Sequence, residues 1–241
     1  KWLLDMVGIS TISDMVPLQN ENRIFAYFGL KVMQEVARAQ NKRIGLKKMM
    51  WDAGINSRHM TETDIAFGIT PKINAASRMS HPMDAVAVFN ATNDIDATTS
   101  MKHLVALNNE RKKLTKKMTA EAIAMLSERE IGNVIIVGQD DWQAGILGLV
   151  ASKLVEKYRV PVFTWSREGD VILGSARSLD GLHLVEIMQL APKKSFIGFG
   201  GHAEAGGYRC NTDEIEKLQK RLETAVKKFT QENTNRKKDT I

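Results

Sequence analysis

The sequence predicts an α/β protein: a helical N-terminal part, a long connecting helix, then a C-terminal α/β domain. Three observations predict it. Ile24, Phe28, Val32 and Val36 recur every four positions, the spacing of an amphipathic helix. The stretch 98–128 holds Met101, Leu104, Val105, Leu107, Leu114, Met118, Ile123 and Leu126 with no Gly or Pro, longer than an ordinary globular helix. Val134-Ile135-Ile136-Val137-Gly138 is then short, apolar and β-branched, as in a strand buried on both faces.

Taken in order, the opening Lys1-Trp2-Leu3-Leu4-Asp5 starts without Met and reads as the interior of a longer polypeptide. Residues 2–9 read as an apolar strand with an embedded acid, before the turn residues Asp14 and Pro17. Residues 23–39 are a helix, and 46–51 a shorter one closed by Gly54. Residues 57–63 are a polar loop or the cap of the next segment. Gly68 and Pro71 break the helical pattern, so 67–79 is expected as a short strand or loop leading into Asn74-Ala75-Ala76. A helix resumes over 84–89, after Pro82. Beyond the long helix, strand 134–138, helix 148–158 and strand 161–165 form a βαβ unit of ~30 residues. A third strand is expected at 171–175, a helix at 184–190, and a closing helix over 212–229 with Thr212 as its N-cap.

Composition narrows the function classes. The 241 residues are 43% hydrophobic, enough for a proper core. A net charge of +6 favours anionic partners such as nucleic acid, although the run Arg236-Lys237-Lys238 is equally a solvated tail. The single cysteine, Cys210, excludes an intrachain disulfide and a thiolate zinc cluster, suits a reducing cytoplasm, and reads as packed at a strand end. No apolar run reaches the ~18–20 residues that span a bilayer.

Four constellations carry chemistry. Gly198-Phe199-Gly200-Gly201-His202-Ala203-Glu204-Ala205-Gly206-Gly207 packs five glycines into ten residues. Such turns expose N–H groups as anion nests, and a neighbouring His can donate to phosphate or move a proton. A tight turn with a structural His202 is the bland alternative. In Gly174-Ser175-Ala176-Arg177-Ser178, Ser175 and Arg177 share one face of a strand, a hydroxyl beside a guanidinium fork that suits phosphate. A surface ion pair is the ordinary reading. Lys72 and Arg78 flank Asn74 in Thr70-Pro71-Lys72-Ile73-Asn74-Ala75-Ala76-Ser77-Arg78-Met79, suited to backbone contact or simple solvation. Trp142-Gln143-Ala144-Gly145-Ile146-Leu147-Gly148 leads into a helix N-terminus, or supplies small residues for close helix–sheet packing. Asp5 and Asp14 are the only acids of the opening, so each is paired or metal-bound. His59, His81, His103 and His183 are scattered surface or capping residues.

Together these phrases resemble the RecJ branch of the DHH phosphoesterases. Asp5-Met6-Val7-Gly8-Ile9-Ser10-Thr11-Ile12-Ser13-Asp14-Met15-Val16-Pro17-Leu18 with Glu21-Asn22-Arg23 is similar to that family's last catalytic motif. The loop from Pro71 to Arg78 resembles its Pro-Arg-Ile-Asn-Ala-Ala-Gly-Arg segment, and Leu107-Asn108 with Glu110-Arg111-Lys112 its connecting helix. The Trp142 segment with Val150-Ala151-Ser152, the Gly174–Ser178 phrase and Gly200-Gly201-His202 resemble its DHHA1 domain. The matches fall in family order to about residue 229.

The resemblance implies the C-terminal portion of an enzyme that degrades single-stranded DNA 5′→3′, with Mn²⁺ or Mg²⁺ activating water. It divides the chain into the end of a DHH domain (1–25), a helical connecting region (26–128), a DHHA1-type domain with a mixed sheet (129–230) and a tail (231–241). Asp5 falls on a metal ligand. Ser175 and Arg177 fall on the 5′-phosphate pocket, joined by Arg78. Lys72, Asn74, Gly200, Gly201 and His202 fall on substrate contacts, His202 beside the scissile phosphate. Lys72 stands where the family has Arg, Ser77 for Gly, Gln143 for His and Gly206 for Ala. The Asp-His-His motif is absent, so this polypeptide is expected to be inactive alone and to hold no metal tightly. The partner expected is single-stranded DNA, with no membrane. A sister phosphodiesterase for short oligonucleotides or cyclic dinucleotides, and a non-enzymatic binding module, are the competing readings.

Overall fold

The structure is a computed structural model that describes residues 3–39 and 43–238, with side chains up to 233. Lys1-Trp2 of the opening phrase and the side chains of the Arg236-Lys237-Lys238 run lie outside the described residues. Two compact units divide the chain, Lys1–Lys112 and Lys113–Ile241.

The first unit is helical. The opening forms α1 (Leu4–Ser13), not the expected strand. Its buried residues Asp5, Gly8, Ile9 and Ile12 fall at helical intervals, and the two-residue alternation of a strand is missing. It crosses α2 (Asn20–Arg38) at a point where a Cβ on Gly8 would lie 2.8 Å from Gly29 Cα, so only paired glycines allow the approach. After α3 (Ile44–Asp52), Thr61 forms a capping box with Asp64 over the short α4 (Glu62–Asp64).

Residues 67–79, expected as a strand or loop, are helical. A π-helical turn at Ile65–Ile69 runs directly into α5 (Thr70–Met79). Pro71 stands in the first turn of α5, directly after the π turn, so the helical run from Glu62 passes through it instead of breaking. The Thr70 hydroxyl donates to Ile65 O at 2.9 Å, spanning the π turn. Helix α6 (Met83–Asn90) follows, then α7 (Asp94–Ser127), 34 residues that run through the division between the units. Met33, Leu46, Met49, Ile65, Ile69, Val88 and Leu104 form the core of this unit.

The second unit is a five-stranded mixed sheet with helices on both faces. Its strands are β1 (Ile135–Gly138), β2 (Val162–Glu168), β3 (Val171–Arg177), β4 (Gly198–Gly201) and β5 (Ala205–Asn211), in the spatial order β1-β2-β3-β5-β4. β1 and β2 are parallel, joined through α8 (Ala144–Tyr158), which begins four residues before the expected helix. Every other pairing is antiparallel. Side chains of Phe163, Ile172, Ala176, Tyr208 and Cys210 point to one face, against α9 (Leu184–Leu190) and α10 (Ile215–Lys238). Helix α8 covers the other face over β2 and β3, where the Thr164 hydroxyl donates to Leu147 O at 3.0 Å.

Thr212 is not the N-cap of the closing helix. A 3₁₀ turn, Thr212–Glu214, precedes α10, and its flanking residue Asn211 makes no side-chain cap. The glycine-rich segment, weighed as a tight turn, is instead the β4–β5 hairpin. The outer edge of β1 is tied down by side chains: Gln219 accepts from Ile136 N at 3.0 Å and donates to Val134 O at 2.9 Å, and Arg129 donates to Ile136 O at 2.8 Å.

Candidate nucleic-acid interface

Ser175 and Arg177 stand on the same face of β3, as the two-residue spacing predicts. Arg177 Nη1 donates to Ser175 Oγ at 3.3 Å and to Ala176 O at 2.8 Å, which fixes the guanidinium beside the hydroxyl. Both side chains lie over Gly148 of α8. A Cβ there would come 2.8 Å from Arg177 Nη2 and 3.0 Å from Ser175 Oγ. The structure thus joins two phrases that are separate in sequence: the helix after Trp142 supplies the seat, and β3 the guanidinium. Trp142 is buried and anchors the start of that helix by donating to Glu121 of α7 at 3.0 Å.

The hairpin continues this face outward. Register places Gly207 beside Ser175, Ala205 beside Arg177, and Gly200 beside Gly207. Gly198, Gly200 and Gly207 are exposed, and added Cβ atoms at Gly198 and Gly200 would meet nothing within 4 Å. The result is an open shelf of bare backbone next to a fixed guanidinium. Gly201 has φ +143°, and a Cβ there would lie 2.3 Å from Ala205 O, so glycine is needed where the hairpin turns. His202 follows in the turn, its N–H donating to Ala205 O at 2.7 Å and its side chain exposed. Burial pushes the Cys210 thiol, on the opposite face, up to about 11, as expected of a packed thiol and not of a nucleophile.

The first unit holds the remaining expected residues. Lys72 Nζ lies 3.0 Å from Asp52 Oδ2 and donates to Gly68 O at 2.7 Å, so its charge is engaged within the fold. Asn74 is exposed on α5. Arg78, in the last turn of α5, is half buried, and desolvation pulls its pKa below the ordinary guanidinium value. Arg111 on α7 is lowered by burial first and by the charge of Arg78 second. The two guanidiniums are therefore electrostatic neighbours, an arrangement that an anion relieves. Asn108 Oδ1 accepts from Arg111 Nη2 at 3.0 Å and from Nε at 3.3 Å. The three-residue spacing of Asn108 and Arg111 along one helix was the available signal for this pair. Of the scattered histidines, His183 caps α9 by accepting from Glu186 N at 3.4 Å, and His81 Nδ1 accepts from Met83 N at 3.2 Å.

Asp5 was expected as a ligand for Mn²⁺ or Mg²⁺. It is 1% exposed and accepts from Met6 N at 2.9 Å and from Arg43 Nη2 at 3.3 Å. Arg43 Nε stands 3.0 Å from its second oxygen, an ion-pair contact without hydrogen-bond alignment. Among the described residues no three His, Cys, Asp or Glu side chains come together to hold a metal. A lone carboxylate engaged by arginine does not fit a hydrolytic metal centre, which needs several ligands. No described helix is long and apolar enough to cross a membrane.

Residues 131–228 match the DHHA1 domain. The single-stranded-DNA-specific exonuclease RecJ of Bacillus subtilis is 33% identical over 235 residues, covering 96% of this chain and 29% of that protein. The RecJ exonuclease of Haemophilus influenzae is 33% identical over 226 residues, covering 90% of this chain and 39% of its own length. Among solved structures, RecJ of Thermus thermophilus in complex with Mn²⁺ shares the fold at a TM-score of 0.82 and 24% identity, over 93% of this chain and 32% of that one. The chain therefore spans between 29% and 39% of the length of these relatives. The chain thus carries a DHHA1 domain in its second unit and is RecJ-like along nearly all of its length.

Proposed function

We propose that this chain is the DNA-holding portion of a RecJ-type, metal-dependent single-stranded-DNA exonuclease, working in the cytoplasm. Residues 129–230 bind substrate: Ser175 and Arg177 grip the 5′ phosphate, and the Gly200-Gly201-His202 turn lies along the DNA backbone, with His202 at the phosphate to be cleaved. Within the first unit, Asn74 and Arg78 are phosphate contacts in their own right, as is Lys72 once it exchanges Asp52 for phosphate. The observation that carries this reading is the Arg177 guanidinium, held against Ser175 over Gly148 on the sheet face that also carries Gly207, Gly200 and Gly198. A pre-set fork of donors beside exposed backbone suits a terminal phosphate better than it suits a buried structural pair. Mn²⁺ or Mg²⁺ would supply water activation in the longer protein. This polypeptide alone, holding one arginine-paired carboxylate of that centre, does not hydrolyse DNA.

The test is binding of a fluorescent 5′-phosphorylated single strand to the chain and to Arg177→Ala, at two salt concentrations. Binding should weaken with salt, and the variant should lose about tenfold or more, the size of one charge-assisted contact. Binding indifferent to Arg177 would remove the phosphate-grip assignment. A cyclic dinucleotide that outcompetes the strand would favour a small-nucleotide substrate instead.

A further inference from the structure

Arg209 belongs to none of the phrases that pointed to phosphate, yet register puts it on the same face as Arg177. It pairs with Leu173 on one side and Gly198 on the other. It therefore sits one strand across and four residues back from Arg177, roughly 13 Å along the strands and about 5 Å sideways. Between the two arginines the face is floored by Ala205, Gly207, Gly200 and Gly198, so nothing taller than a methyl group rises from β4 or β5 there. Arg209 is exposed, and its guanidinium makes no hydrogen bond or ion pair among the described residues. None of β3, β4 and β5 carries an Asp or Glu, so no acid on these strands offsets the two positive charges.

We propose that Arg209 is a second phosphate contact, holding the DNA strand about two backbone steps away from the phosphate gripped by Arg177. The proposal rests on the phosphate-gripping role of Arg177 and extends it from an end pocket to a track. The ~3.4 Å charge spacing of one duplex strand, opened roughly twofold in an extended single strand, makes the gap between the arginines about two such steps. The glycine floor between them lets sugar and phosphate lie against the sheet without meeting side chains.

The experiment compares a 5′-phosphorylated dinucleotide with a 5′-phosphorylated hexanucleotide, each titrated against the chain, Arg177→Ala, Arg209→Ala and Arg209→Lys. The dinucleotide is too short to reach from one arginine to the other. Arg209→Ala should weaken the hexanucleotide several-fold, leave the dinucleotide unchanged, and lower the slope of log K against log salt by about 0.7, one single-strand phosphate. Arg209→Lys should recover most of the loss, because a point charge suffices at a passing phosphate. Arg177→Ala should weaken both ligands. If Arg209→Ala leaves the hexanucleotide and its salt slope unaltered while Arg177→Ala weakens both, the track is overturned and the end pocket stands. If Arg177→Ala changes neither ligand, the phosphate-gripping reading fails and the track falls with it.

Discussion

At the scale of single residues, the proposed phosphate grip depends on what is missing from Gly148. A methyl group there would come 2.8 Å from Arg177 Nη2 and 3.0 Å from Ser175 Oγ, so the side-chain ends that give way are those of the clamp. Gly148→Ala should therefore leave the fold intact. In the interior of α8 it should even add about 0.5–1 kcal/mol, because alanine loses less backbone freedom than glycine. Binding should move the other way: the pushed-out guanidinium no longer meets the phosphate, and affinity for a 5′-phosphorylated strand should fall about tenfold. Thermal melting and a binding titration on the same sample would check the pair of effects. A variant that binds as well as the parent chain would show that Arg177 works without this seat. That Ser175 and Arg177 share a face was legible in sequence, since residues two apart on a strand do so. Gly148 as its seat was not, because which helix crosses which strand is decided by packing between segments some 27 residues apart. Asp5 was half legible: a buried acid needs a partner, and no local pattern pointed to Arg43.

At the scale of elements, sequence periodicity located the strongly patterned pieces and failed where glycine or proline carries a positional meaning. Helices α7 and α9 and strands β1 to β3 follow from spacing and β-branching, whereas α2 forms where expected but buries Ala26, Gly29, Met33 and Val36 and leaves Ile24 and Phe28 exposed. Pro71 read as a breaker lies within a helical run, just after a π turn, and the glycine run read as a turn holds most of the β4–β5 hairpin, whose pairing comes from the rest of the sheet. The entry to α10 was also missed, and it is fixed by charge rather than by an N-cap. Glu214 is buried, and its carboxylate takes a hydrogen bond from Arg221, about two turns into α10, while Arg221 also donates to Ser195 Oγ at 3.3 Å. The Arg221 hydrogen bond is the main cause holding the Glu214 carboxyl below its ordinary value. A carboxyl with a depressed folded pKa contributes stability above its unfolded pKa of ~4.3 and loses it as pH falls through the folded value. Glu214→Gln should therefore lower the urea midpoint of unfolding at pH 7, and the gap from the parent chain should close as pH drops below about 4. An equal gap at pH 7 and pH 3 would mean that packing, and not ionisation, sets the contribution of Glu214.

At the scale of the whole molecule, the proposed grip on phosphate and metal-assisted hydrolysis have different requirements. Each unit has its own hydrophobic core, and the guanidinium clamp, the shelf and the hairpin are all complete within the second. Among the described residues Asp5 is paired with Arg43, and no three His, Cys, Asp or Glu side chains stand together to hold a metal. Grip on phosphate needs only guanidinium, hydroxyl and backbone N–H groups, none of which requires a cation. The chain should then bind a 5′-phosphorylated strand equally well with Mn²⁺ added and with EDTA added, and in neither case should a 5′-labelled strand shorten over hours. Titration with Mn²⁺ alone, followed by calorimetry, should give no tight site. A strand lost only in the Mn²⁺ sample, and protected by EDTA, would mean that this chain assembles a hydrolytic centre from residues that the clamp argument leaves out, and Asp5 would have to exchange Arg43 for metal. Binding that disappears in EDTA without hydrolysis would place a cation between protein and phosphate, and the direct Arg177 contact would give way to a bridged one.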